Sequence, residues 1–188
     1  MAALTRCALA AALCCLSFVP RASAQLAAGE YQIKAAFLHH FASFVDWPAD
    51  AMPASAPIVI GLIGDDPFGH AIDDVITAKS VVNGHRVSVR RLRWNDPIAN
   101  CQIVFISSSE LEHLDAILEE LKERSVLTVA DLDGFAQRGG IIELRTSSGR
   151  VKFDINTSAA AAAHLKISSK LLQVARVVYS DIATGGAR

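Results

Sequence analysis

Three short apolar runs rich in β-branched residues constrain this chain more than any other feature: residues 58–63 (IVIGLI), 102–107 (QIVFIS) and 126–130 (VLTVA). A strand with one wet face alternates apolar and polar residues, and these runs do not, so each is expected to be covered on both faces. Between the second and third runs, Leu111, Leu114, Ile117, Leu118 and Leu121 fall at helical spacing. Strand, helix and strand joined by short connections make a right-handed crossover between parallel neighbours. Ser109-Glu110-Leu111-Glu112 has the S-x-x-E form of a capping box at the start of that helix.

The remaining segments fill out an α/β pattern. In residues 29–45, Ile33, Ala36, Phe37, His40, Phe41, Phe44 and Val45 form a helical stripe that Pro48 ends, followed by a proline-rich loop to Pro57. After the first apolar run, Asp66 and Pro67 match an N-cap with proline at the first helical position, and Phe68, Ala71, Ile72, Val75 and Ile76 continue as an amphipathic helix. Asn83-Gly84 marks a turn into residues 86–92, which read as an edge strand crowded with Arg86, Arg90 and Arg91, with Arg93 just beyond. Residues 141–145 and 150–155 flank a Thr-Ser-Ser-Gly turn and read as a hairpin. Helices are expected over 157–163 and 168–178, with a frayed tail over 184–188. The expectation is a single α/β domain: a mixed, mostly parallel sheet of about six strands flanked by helices on both faces.

The first residues bear on compartment. Arg6, the apolar run CALAAALCCLSFV and Ala22-Ser23-Ala24 have the form of a cleavable signal peptide, residues 1–24, ahead of one domain over 25–188. The apolar run is shorter than the about 20 residues a bilayer span needs. Export from the cytoplasm is therefore expected. Removing residues 1–24 takes away Arg6 and Arg21 and no acid, leaving 16 basic residues against 19 acidic, a balance of −3. That argues against nucleic-acid binding, which needs clustered Lys and Arg against phosphate. Three of the four cysteines leave with the leader, so Cys101 is expected to be free, with no partner within the mature chain.

Two places could carry chemistry. Asp65, Asp66, His70, Asp73 and Asp74 follow the first apolar run, at the strand end where open α/β sheets take ligands. Helix capping accounts for the acids more simply than a metal site, because Asp73 and Asp74 lie about a turn and a half along the helix. Two carboxylates and a proline make a poor phosphate cradle. His39 and His40 are adjacent and point about 100° apart, a poor arrangement for one ion. No G-x-S-x-G, H-E-x-x-H, Walker A or cysteine pair occurs in residues 25–188. No catalytic residue, cofactor or metal is expected.

Taken in order, YQIKAAFLHHFASFVDWP, GLIGDDPFG, CQIVFIS, VLTVAD, RGGIIELR, VKFDIN and LKISSKLLQVARVV resemble the YfiR-like periplasmic family over nearly all of residues 25–188. The resemblance implies a dimerising regulator that binds the periplasmic portion of a membrane-bound GGDEF diguanylate cyclase, holds it inactive, and so lowers cyclic-di-GMP and restrains biofilm formation. Gly61 stands where a family member often has cysteine, which leaves Cys101 without that partner and a disulfide switch within one subunit unavailable. The contact residues expected on this basis are Phe44 and Trp47 in the first helix and the loop that follows it, and Lys170 and Gln173 in the last helix. Asp65 and Asp66 are the candidates for a small ligand. The alternative is a periplasmic module for a nucleotide or amino acid feeding a sensor kinase or receptor, and after it a hydrolase built on Asp65, Asp66 and His70.

Overall fold

Successive side chains of a strand point to opposite faces, so the unbroken apolar run Ile58–Ile63 supplies two cores at once. Ile58, Ile60 and Leu62 enter one, and Val59 and Ile63 enter the other. The computed structural model describes residues 21–98 and 100–180. Residues 1–20 of the leader expected over 1–24, and the tail expected over 184–188, lie outside the described residues.

In chain order the elements are α1 (Arg21–Phe41), β1 (Val45–Asp46), β2 (Ile58–Ile63), α2 (His70–Val75), β3 (Val81–Val82), β4 (His85–Leu92), β5 (Ile103–Ile106), a 3-10 turn (Ser108–Glu110), α3 (Leu114–Leu121), β6 (Leu127–Ala130), β7 (Ile142–Ser147), β8 (Arg150–Asn156), α4 (Thr157–Ala162), β9 (Lys166–Ile167), α5 (Ser169–Val174) and β10 (Val177–Tyr179). The main sheet has the order β10-β8-β7-β6-β5-β2-β4-β3, and β1 pairs with β9 in a separate two-stranded ribbon. Strands β7, β6, β5, β2 and β4 run parallel, while β7 with β8 and β4 with β3 are antiparallel.

Helices cover both faces, as the apolar runs require. On one face Ala35, Leu38 and Phe41 of α1, Ile72 of α2 and Leu171 of α5 pack over Ile60, Phe105 and Phe153. On the other, Leu114, Ile117 and Leu121 of α3 pack with Phe135 over Val104 and Ile106. The connections through α2 and α3 leave β2 and β5 in opposite directions along the sheet, so the carboxyl ends of these strands form its topological switch point.

Several expectations are corrected. The main sheet has eight strands rather than six; the additional ones, β3 and β10, have two and three residues, too few for a periodic signal. α1 ends at Phe41 rather than at Pro48, and its buried side is rotated by about one residue: Lys34, Ala35, Leu38, Phe41 and Ala42 face the core while Ile33 and His40 are exposed. α2 begins at His70, and Asp66 caps the turn before it rather than the helix itself, accepting from the N–H groups of Phe68 and Gly69. The Ser109 capping box does not form. Ser109 Oγ instead accepts the Asp65 N–H at 2.9 Å, α3 starts at Leu114, and Leu111 is exposed. The last helix ends at Val174, where the chain extends into β10 beside β8.

Candidate functional surfaces

The ribbon of β1 and β9 joins two places that the sequence holds far apart. Val45 pairs with Ile167 and Asp46 with Lys166, and the Ser168 N–H donates to the Phe44 carbonyl at 2.9 Å. Ser168 then caps α5, its hydroxyl accepting from the Lys170 N–H at 3.3 Å. Phe44, half-buried, therefore lies beside the start of the helix that carries Lys170 and Gln173, both exposed. α5 buries Leu171 and leaves Val174 68% exposed, so this corner shows cationic, amide and apolar groups together. Trp47 does not join them. It is a core residue, and its indole N–H is buried without a hydrogen-bond partner.

At the switch point the acids are spoken for. Asp66 accepts from the backbone through Oδ1 and from Arg91 Nε through Oδ2 at 2.7 Å, while Arg91 also meets Asp73 at 2.8 Å. Bonds to Asp73 and then Asp66 raise the Arg91 pKa, so the guanidinium stays charged and offsets both carboxylates. Asp65, His70 and Asp74 point to solvent. Among the described residues, no group of three or more His, Cys, Asp and Glu side chains is placed to hold a metal ion. The arrangement closes a loop and offers no converging acid and base to a substrate.

Cys101 is buried and free, and burial pushes its thiol pKa up. A Cβ placed on Gly61 would lie 3.0 Å from its sulfur. The space at Gly61 is thus bordered by the Cys101 side chain.

A polar cluster on α1 escaped the sequence reading. Lys34, only 4% exposed at its side chain, places Nζ 2.5 Å from Glu30 Oε1 and 2.7 Å from Asp131 Oδ2, and 4.5 Å from the Tyr31 ring centre. The Tyr31 hydroxyl donates to the same Asp131 oxygen at 2.9 Å. Burial, and then the Asp131 charge, drive the Tyr31 pKa upward, so its proton is retained. The available signal was position: Lys34 shares a helical face with Leu38 and Phe41.

Among solved structures the chain is similar to that of a conserved domain protein from Vibrio cholerae O1 biovar El Tor, with a TM-score of 0.52 and 10% sequence identity. The match covers 79% of this chain and 60% of that one, and at this identity it shows a shared fold. No curated protein matches the sequence. No helix among the described residues is long and apolar enough to cross a membrane. The family model described as YfiR/HmsC-like, a family of periplasmic regulators, matches residues 31–176, and the chain belongs to that family.

Proposed function

We propose that the protein is exported through residues 1–24 and acts in the periplasm as a repressor, a clamp on the periplasmic portion of a membrane-bound diguanylate cyclase. The observation that carries this reading is membership of the YfiR/HmsC-like family over residues 31–176. A protein that binds the inactive form of the cyclase more tightly than the active form shifts that equilibrium by the difference in affinity alone. It needs no active site. Moving the cyclase from mostly on to mostly off takes a preference of about 10⁴-fold. Cyclic-di-GMP, and with it biofilm formation, falls accordingly.

The contact corner in this reading is Phe44 with Lys170, Gln173 and Val174, supported by the ribbon that brings them together and by the exposure of the last three. Trp47, a core residue, is not part of this corner. Asp65 and Asp66, with Arg91, shape the opposite end of the sheet. The regulator works as a homodimer. The test is capture of residues 25–188 on an immobilised periplasmic segment of a membrane GGDEF protein from the same organism. Binding at about micromolar concentration or tighter supports the reading, and absence of binding there removes it.

A further inference from the structure

The α1 cluster borders a cavity of about 380 Å³ at the carboxyl ends of the parallel strands β6 and β7. α1 contributes Glu30, Tyr31 and Lys34; the segment after β6 contributes Asp131, Leu132 and Asp133; β7 contributes Arg145 and Thr146. We propose that this cavity is a binding site for a small organic cation, an amine bearing one or two ammonium groups.

The charge count gives the class of ligand. Lys34 is shared by Glu30 and Asp131, and Arg145 is shared by Glu143 at 2.5 Å and Asp133 at 3.2 Å. Three carboxylates, Glu30, Asp131 and Asp133, therefore line the cavity with two cations, Lys34 and Arg145, while Glu143 holds Arg145 from outside the lining. Asp131 is largely withdrawn from water, so bulk solvent screens the excess charge poorly. An anion entering the cavity meets net repulsion, and a cation restores the balance. Lys34 and Tyr31 fix the Asp131 carboxylate in advance, so a ligand finds its acceptor already oriented. The carboxylates are not grouped to coordinate a metal ion. Leu132, half-buried, gives the charged lining one apolar edge beside which a short hydrocarbon chain can lie.

Size and place agree with this. Small-molecule sites span about 300–1,000 Å³. Open α/β sheets take ligands beyond the carboxyl ends of their strands. A purely structural ion cluster has no need of adjoining space, whereas these side chains form the wall of a cavity open to solvent. The site lies apart from the corner around Phe44 and Lys170, so the two proposals stand or fall separately.

The test is calorimetric titration of residues 25–188 with putrescine, beside butanediol as the neutral analogue, succinate as the charge-reversed one, and calcium chloride. Saturable putrescine binding with Kd below about 1 mM is expected, with butanediol and succinate at least about tenfold weaker. Asp133, 92% exposed at its side chain, can change without disturbing the fold. Asp133→Asn is expected to weaken binding about three- to tenfold, because it removes one charge at the mouth. Thr146→Trp, which places an indole at the rim, is expected to abolish it. If Thr146→Trp does not fold, Asp133→Asn decides. No heat from putrescine up to about 10 mM, equal binding of butanediol, binding of calcium alone, or unchanged affinity in Asp133→Asn overturns the proposal.

Discussion

Ser168 donates its backbone N–H to the carbonyl of Phe44 at 2.9 Å, and this bond ties the exit of α1 to the start of α5. The surface that results is held by main-chain pairing, so its exposed side chains can be changed with little effect on the fold. Val174→Glu and Lys170→Glu are expected to keep stability within about 0.5 kcal/mol of the parent in thermal melts. Each is expected to weaken capture of the cyclase segment by about tenfold. Unchanged capture in both variants would move the contact elsewhere on the molecule.

Lys34 is the most consequential buried charge in the first helix. Replacing it with Met leaves Asp131 and Glu30 without the ammonium between them, at positions where water compensates poorly. Removing one partner of a buried pair costs about 3–5 kcal/mol. Lys34→Met is expected to fall in that range by urea denaturation. Lys34→Met with Asp131→Leu is expected to recover most of the loss, since the carboxylate that then remains, Glu30, is partly exposed and accepts from the Thr146 hydroxyl. A single variant as stable as the parent would show that the cluster contributes nothing net.

The same lysine marks where sequence reasoning stopped. The strands β2, β5 and β6 were legible because an unbroken apolar run has few other uses, and α3 because Leu114, Ile117, Leu118 and Leu121 leave one clear stripe. In α1 two stripes overlap, one through Ile33, Phe37 and His40 and one through Lys34, Leu38 and Phe41. The second is the buried one because Asp131, 97 residues away, supplies the partner that makes a lysine tolerable inside. Helix caps failed for a related reason. Ser109 was recruited by the backbone of Asp65 and Asp66 by Arg91, both from other segments. Phe44 and Lys170 could each be named from the sequence, but their adjacency depends on a ribbon of two-residue strands that no local pattern announces.

Gly61 and Cys101 offer a test of the sheet register. The β-carbon of a disulfide-bonded cysteine lies about 3 Å from its partner's sulfur, and a Cβ on Gly61 would sit 3.0 Å from Cys101 Sγ. Gly61→Cys is therefore expected to form a disulfide with Cys101 in the oxidised protein. Thiol titration under denaturing conditions should find no free thiol in residues 25–188 of this variant. Reduction should lower its stability by about 2–4 kcal/mol, less any strain from Leu92, which also borders the site at 3.1 Å. Two free thiols after oxidation would contradict the placement of β2 against the segment leading into β5.

His39 sets a pH dependence. Burial first, and the neighbouring His40 second, hold its pKa below the ordinary value. The unfolded chain thus takes up a proton more readily than the folded one. Stability contributed by neutral His39 is present above about pH 6.5 and declines as the pH falls below it. His39→Gln is expected to melt with a smaller decline between about pH 7.5 and pH 5.5. Parallel curves for the two proteins would remove His39 as the source.

The central claim is that this protein regulates by binding and not by chemistry, and the output of the cyclase tests it most directly. Membranes carrying the GGDEF partner, with the purified regulator added to the periplasmic side, should make less cyclic-di-GMP as regulator is titrated. The midpoint should match the binding constant, and Val174→Glu should shift both together. Synthesis that stays constant while the periplasmic segment is saturated with regulator would contradict the account.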